Sequence, residues 1–163
     1  MDDRPLWAPW RIEYIKGPKP DGCIFCAAVA AADDADARVI DRGEHCLTLL
    51  NAFPYSSGHL MVAPNRHVGD LDACRTDEVN ELMALAQRAI RALREVSAPD
   101  GFNVGLNLGK VAGAGFEDHL HLHVVPRWNG DTNFMPVLAG VHVIPEALDA
   151  TRAALADAVR RLT

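Results

Sequence analysis

Histidine and aliphatic residues alternate strictly over residues 119–125, where the chain reads His-Leu-His-Leu-His-Val-Val. Side chains of a β-strand point alternately to its two faces, so this period of two predicts a strand with His119, His121 and His123 on one face. The aliphatic residues between them would face the core, and Pro126 is expected to end the strand. Imidazoles clustered this tightly predict a functional site rather than an ordinary exposed surface.

Short apolar runs bounded by turn residues predict further strands at about residues 38–41, 46–50, 59–63 and 102–108. A long helix is predicted from a cap at Thr76 to about Val96, because its apolar residues recur at spacings of three and four. An alanine-rich helix is expected over residues 27–32, and a C-terminal helix over residues 145–162 with Pro145 in its first turn. The predicted fold class is α+β, with a small, mostly antiparallel sheet, one long central helix and a C-terminal helix.

A chain of 163 residues is long enough for one domain with its own core, so residues 1–163 are predicted to form a single domain. An irregular arm over residues 1–21 would be held down mainly by Trp7, Trp10 and Tyr14. The net charge of -6 argues against binding to a nucleic acid polymer or to an anionic membrane surface. With no secretory signal and no apolar run long enough for a membrane span, the expected location is the cytoplasm.

Two chemistries could use the row of histidines. Same-face positions on one strand lie about 6.6 Å apart and diverge, which disfavours a three-histidine metal site. Histidine as a nucleophile or as an acid and base fits better, because the pKa of imidazole lies near neutrality. The preceding glycine-rich loop, residues 109–115, would let backbone N–H groups approach a phosphate closely.

Two segments resemble the signatures of the histidine triad (HIT) superfamily: residues 113–126, GAGFEDHLHLHVVP, and residues 58–64, GHLMVAP. Residues 7–11, 103–107 and 126–134 resemble one branch of it, which is related to the fragile histidine triad hydrolases and to bacterial diadenosine tetraphosphate phosphorylases. The resemblance runs from about Trp7 to Pro136. It implies a HIT-like fold that pairs into a homodimer.

By this resemblance, His121 is the nucleophile that attacks an α-phosphorus and forms a covalent nucleotidyl-histidine. His119 and His123 would contact phosphate oxygens, and His59 would support the triad from a neighbouring strand. The implied substrate-binding residues are Ile24 and Phe25 for a purine, Asn51 for the ribose, and Asn107, Gly113, Ala114 and Gly115 for phosphate. Trp128, which follows the triad closely, is a candidate contact for a second nucleotide.

Cys23 and Cys26 form a close pair, which in a reducing compartment indicates metal binding or redox chemistry before a disulfide. The resemblance implies a structural zinc site made by Cys23, Cys26, His67 and His119, a donor set suited to tetrahedral zinc. Free thiols and a redox pair remain the alternatives. No organic cofactor is implied.

The function that the resemblance implies is cleavage of dinucleoside polyphosphates such as diadenosine tetraphosphate, with water or inorganic phosphate as the acceptor. One alternative is a nucleoside phosphoramidate hydrolase, which residues 127–134 disfavour. A nucleotide-binding regulatory module with negligible turnover and a zinc-binding interaction domain are the alternatives from other classes.

Overall fold

The computed structural model describes residues 22–131 and 147–162, so the predicted N-terminal arm with Trp7, Trp10 and Tyr14, and also Pro145, lie outside the described residues. Helices and strands follow in the order α1 (Ile24–Ala30), β1 (Val39–Arg42), β2 (Cys46–Leu50), β3 (Leu60–Pro64), α2 (Thr76–Ser97), β4 (Gly101–Leu106), β5 (Leu122–Arg127) and α3 (Leu148–Leu162). Short 3-10 helices lie at Leu71–Ala73 and Lys110–Ala112. The predicted α+β class, with a long central helix and a C-terminal helix, is confirmed.

The five strands form one antiparallel sheet in the order β1-β2-β3-β5-β4. Strand β2 coincides with the predicted run, and it pairs with β3 from Cys46↔Pro64 to Leu50↔Leu60. Strand β5 lies between β3 and β4. The sheet therefore brings the segment that carries the three histidines beside the segment that follows His59.

The prediction that all three histidines lie on a strand is wrong in one respect. Strand β5 begins at Leu122, so His123 lies in it, while His119 and His121 lie in the extended segment that leads into it. This segment is fixed by a loop, since the N–H of Leu120 donates to the carbonyl of Val68 at 2.6 Å. Leu120 is buried in this segment, as the prediction for the aliphatic residues requires.

Pro126 does not end the strand, as the sequence suggested, but lies within β5 opposite Phe102 of β4. Its carbonyl accepts a hydrogen bond from the hydroxyl of Ser56 at 2.8 Å, on the side away from β4. The N–H and C=O of a strand residue point the same way, so the missing N–H also faces away from β4. Pairing with β3 stops at Leu60↔Val124, and the proline therefore removes no ladder hydrogen bond.

Helices cover both faces of the sheet. One core packs α2 and α3 against it, through α2 residues such as Leu82, Leu85 and Leu93. A second, smaller core packs α1 against the opposite face; its buried residues are Phe25, Ala28, Val39, Leu47, Leu49, Met61 and Ala63. The histidine side of β5 belongs to this second face, so α1 and the sheet enclose the candidate site between them.

The helix ends differ slightly from the predicted ones. Thr76 is the first residue of α2 rather than its cap, and the N–H of Arg75 is satisfied by the carboxylate of Glu78 at 2.8 Å. Ala98, with a φ of 44°, closes the helix just before Pro99. Helix α3 starts at Leu148, three residues after the predicted start. Over the described ranges, each helix is too short or too polar to cross a membrane.

Candidate active site

The backbone beside His121 sets the tautomer of its ring. Nδ1 of His121 lies 2.8 Å from the carbonyl oxygen of His119, and a carbonyl can only accept. The proton is therefore on Nδ1, and the lone pair of the neutral ring is on Nε2. Phe25 of α1 stacks on this imidazole with ring centroids 4.8 Å apart and 28° between the planes. The ring of His121 is thus held in one orientation with a nucleophilic nitrogen at Nε2.

A chain of hydrogen bonds fixes the neighbouring ring of His123. The N–H of Tyr55 donates to Nδ1 of His59 at 3.1 Å, so the proton of the neutral His59 ring is on Nε2. That Nε2 lies 2.9 Å from Nδ1 of His123, which must then accept and carry its own proton on Nε2. Nδ2 of Asn107 lies 3.5 Å from this Nε2; because both atoms are donors, the amide must turn its oxygen toward the ring to accept from it. His123, whose ring centroid is 4.9 Å from that of His121, therefore presents a hydrogen-bond donor beside the ring of His121.

His119 is directed away from the other two histidines. Its Nε2 donates to the carbonyl of Pro64 at 2.8 Å, and its Nδ1 faces the sulfur atoms of Cys23 and Cys26. Both ring nitrogens are therefore engaged in a side chain that is only 1% exposed, so the expected contact of His119 with phosphate does not fit this arrangement. Burial lowers the pKa of His119, and the nearby His67 and His121 lower it further, which keeps the imidazole neutral.

The predicted metal ligands Cys23, Cys26, His67 and His119 come together. All four donor atoms lie within 4.8 Å of one another. Three of the distances are 3.2 Å for Cys23 Sγ to His119 Nδ1, 3.3 Å for Cys26 Sγ to His67 Nδ1 and 3.7 Å for Cys26 Sγ to His119 Nδ1. Tetrahedral ligands at zinc bond lengths lie about 3.3–3.8 Å apart, so this spacing fits a zinc ion.

Electrostatics at the cluster determine the protonation of its thiols. Burial raises the pKa of the Cys26 thiol, and the adjacent Cys23 raises it further, because two thiolates repel each other. A bound cation reverses this penalty and holds both sulfur atoms as thiolates. In His119 the neutral ring already presents its lone pair at Nδ1, toward the sulfur atoms.

A cavity of about 610 Å³ opens between α1 and the sheet. Leu49 and Met61 form its floor, and Ile24 and Phe25 form its roof. His121 and His123 line it together with the other predicted residues Asn51, Gly113 and Gly115. A cavity of this size, lined by apolar side chains and a few polar ones, is typical of a small-molecule site.

The remaining predicted contacts lie elsewhere. Trp128 is not a lining residue of this cavity, and its indole N–H donates to the carbonyl of Ser97 at 3.1 Å. The N–H of Gly113 donates to Lys110 at 3.0 Å and that of Ala114 to Gly109 at 3.4 Å, within a 3-10 turn. These two N–H groups are thus occupied by their own loop, and their expected role as phosphate donors is not met in this conformation.

Several residues of the site carry no signal in the sequence. Pro64 acts through its carbonyl and Tyr55 through its N–H, and the ring of Tyr55 also stacks on His59 with centroids 5.0 Å apart. Phe25 was expected only in the purine pocket, yet its ring also packs on His119 and His121. Asp36 and Arg38, which line the cavity, lie in a polar turn that reads as an ordinary loop.

Comparison with known proteins agrees with this geometry. The family model described as HIT domain matches residues 32–130. A protein of Mycobacterium tuberculosis named AP-4-A phosphorylase is 44% identical over 159 residues, which cover 93% of this chain and 82% of that protein.

Solved structures give the same grouping. The crystal structure of a zinc-bound histidine triad family protein from Mycobacterium smegmatis superposes with a TM-score of 0.70 and 33% identity, covering 86% of this chain and 95% of that one. A hypothetical histidine triad nucleotide-binding protein from Sulfolobus tokodaii superposes with a TM-score of 0.69 over 86% of this chain and 93% of that one; at 22% identity it supports the fold alone.

Proposed function

This chain belongs to the HIT domain family, and from that membership we propose that it is an enzyme that cleaves dinucleoside polyphosphates such as diadenosine tetraphosphate at the α-phosphate. The relative named AP-4-A phosphorylase supports this substrate class, and its name favours inorganic phosphate over water as the acceptor. One observation carries the proposal: the contact of His121 Nδ1 with the His119 carbonyl leaves Nε2 of His121 as a nucleophile at the cavity.

In the first proposed step, one nucleoside occupies the cavity, with its base against Ile24 and Phe25 and its ribose near Asn51. The lone pair of His121 Nε2 attacks the α-phosphorus, and the bond from that phosphorus to the bridging oxygen breaks with its electron pair on the leaving polyphosphate. The N–H at Nε2 of His123 donates a hydrogen bond to that oxygen, and the polyphosphate departs as an anion, so both histidines keep their protons. The direction of the hydrogen bonds from Tyr55 through His59 supports this role for His123.

In the second proposed step, an oxygen of inorganic phosphate attacks the α-phosphorus of the nucleotidyl-histidine. The phosphorus–nitrogen bond breaks, and its electron pair returns to Nε2 of His121. Diadenosine tetraphosphate and phosphate would thus give ATP and ADP, whereas attack by water would give ATP and AMP.

We further propose that Cys23, Cys26, His67 and His119 hold a zinc ion. The donor spacing and the zinc-bound relative from Mycobacterium smegmatis support this site. With four protein ligands it would be a closed structural site. Its proposed role is to fix the position of His119, whose carbonyl orients His121.

The proposed assembly is a homodimer of single-domain chains in the cytoplasm. Strand β4 lies at one end of the sheet in the described part of the chain, and its residue Val104 is 43% exposed. An edge strand that has no neighbouring strand within residues 22–131 and 147–162 and carries an exposed aliphatic residue favours pairing with a second copy.

The test is product chromatography after incubation with diadenosine tetraphosphate, with and without inorganic phosphate. Phosphate-dependent ADP and ATP from the wild type, lost in His121→Ala and kept in the control His45→Ala, is the expected result. ATP and AMP formed without phosphate would contradict the choice of acceptor. Absence of turnover with retained nucleotide binding would refute the enzyme and favour the regulatory module.

A further inference from the structure

Asp36 and Arg38 line the end of the cavity opposite to the histidines. The carbonyl of Arg38 accepts the N–H of Leu50 at 2.9 Å, which places Arg38 at the start of β1, beside β2. From there the sheet runs through β2 and β3 to β5. Neighbouring strands lie about 4.8 Å apart, so Arg38 and the segment of His121 and His123 are about 14 Å apart along the sheet.

The turn that carries Asp36 and Arg38 is held firmly. The carboxylate of Asp33 accepts the N–H of Ala35 at 2.6 Å and of Asp36 at 3.2 Å. The N–H of Arg38 donates to Ala35 at 3.1 Å, and that of Val39 to Asp34 at 2.8 Å. Arg38 has a φ of 56°, a conformation that residues other than glycine rarely adopt. Such backbone is found at functional sites more often than elsewhere.

The two charged side chains lack protein partners. Within residues 22–131 and 147–162, neither the carboxylate of Asp36 nor the guanidinium of Arg38 makes a hydrogen bond or an ion pair, even with the other. Both residues are exposed, and the cavity is also lined by Ala27, Ala28 and Ala31 of the α1 segment and by Ala37 between them. The polar recognition available at this end therefore comes from one acceptor and one donor of opposite charge.

A nucleotide whose α-phosphate is at His121 would extend across the cavity from β5 toward β1, and its base edge would meet this pair. We propose that Asp36 and Arg38 select an amino-bearing purine: the carboxylate of Asp36 accepts from the exocyclic amino group, and the guanidinium of Arg38 donates to a ring nitrogen. This inference rests on the proposed function, because it takes the histidine end as the phosphate end. A carboxylate and a guanidinium are suited to reading such base edges.

The test measures the affinity of three mononucleotides by titration calorimetry: AMP, purine riboside monophosphate, which lacks the amino group, and UMP, whose smaller base does not reach the pair. Asp36→Ala is expected to lower the affinity for AMP about tenfold and to keep the affinity for purine riboside monophosphate within about twofold of the wild type. Arg38→Gln should lower the affinity for both purine nucleotides about tenfold and leave the affinity for UMP unchanged. Arg91→Gln, on the exposed side of α2, is the matched control.

Thermal unfolding of each variant shows whether it is folded. AMP affinities within about twofold of the wild type in both variants would overturn the inference, as would equal weakening of AMP and UMP or a wild type that does not bind AMP. Because binding is measured without turnover, the two proposals fail separately. Discrimination among the three nucleotides without product formation would refute the chemistry alone, and product formation without discrimination would refute the base reading alone.

Discussion

Removing the metal from the cysteine and histidine cluster should weaken both the fold and the catalytic site. The cluster joins the start of α1, through Cys23 and Cys26, to His67 after β3 and to His119 before β5. His119 is also the residue whose carbonyl accepts the Nδ1–H of His121. We therefore expect a chelator, or the double variant Cys23→Ser/Cys26→Ser, to lower the melting temperature and to slow turnover.

The size of the effect follows from linkage. A ligand that binds only the folded state, present at a hundred times its dissociation constant, adds about 2.7 kcal/mol to the free energy of unfolding. For a chain of 163 residues, about 1 kcal/mol shifts the melting temperature by about 2–4 °C. Loss of zinc should therefore lower the melting temperature by about 5–10 °C. Turnover should fall about 2- to 13-fold, because the loss of one orienting hydrogen bond is worth about 0.5–1.5 kcal/mol.

The assay combines metal analysis of protein purified without added zinc with thermal unfolding and turnover, each before and after chelation. Cys74→Ser is the matched control, since Cys74 is half-buried and lies outside the cluster. About one zinc per chain and a chelator effect that is absent in the double variant are the expected results. A metal-free wild type with the stability of the double variant would refute the argument.

Three further outcomes are expected. His59→Phe should lower kcat about 10- to 100-fold in a folded protein, because His123 loses the donor that fixes its proton on Nε2; an unchanged kcat would contradict the proposed role of His123 as a hydrogen-bond donor. The pKa of Glu78 is lowered from 4.5 to about 2, chiefly by its hydrogen bonds with Arg66, so this stabilisation is complete above pH 4.5 and is lost as the pH falls toward 2. It should amount to about 1–2 kcal/mol, since the Arg66 side chain is 43% exposed and water screens the pair; denaturation at pH 6 and pH 3 should show the loss in the wild type and not in Glu78→Gln. Val104→Lys should shift sedimentation from dimer toward monomer, and a monomeric wild type would refute the proposed pairing.

Side-chain periodicity predicted the class of the fold and most of its elements, but not their limits. The run that became β2 was exact because turn residues bound it on both sides. The strand of the histidines was placed too early, since an extended segment alternates its side chains whether or not it has a pairing partner. Pro126 was expected to end the strand. A sequence does not show whether the missing N–H of a proline faces a neighbouring strand or faces away from it.

The sequence likewise predicted some residues of the candidate site and not others. Histidines and cysteines have few chemical uses, so their spacing and the family signature were enough to predict the cluster and the triad. Asp36 and Arg38 were not predicted, because their relation to the cavity depends on the path of the chain from α1 to β1. The loop around Gly113 shows the opposite case. Its glycines predict a phosphate-binding loop, but in the structure they form a 3-10 turn whose N–H groups donate to carbonyls of the same loop.

The three histidines of the triad are identical in type and equal in spacing, and they differ only in what meets the second nitrogen of each ring. Nε2 of His119 donates to a carbonyl, which leaves Nδ1 for the cysteine side. Nδ1 of His121 donates to a carbonyl, which leaves Nε2 for the cavity. Nδ1 of His123 accepts from His59, which leaves a donor. The proposed metal ligand, the proposed nucleophile and the proposed hydrogen-bond donor thus arise from one residue type, because each partner determines the ring nitrogen that holds the proton. Exchanging the partners rather than the histidines should therefore exchange the roles, which is why His59 and the metal cluster are the places to perturb.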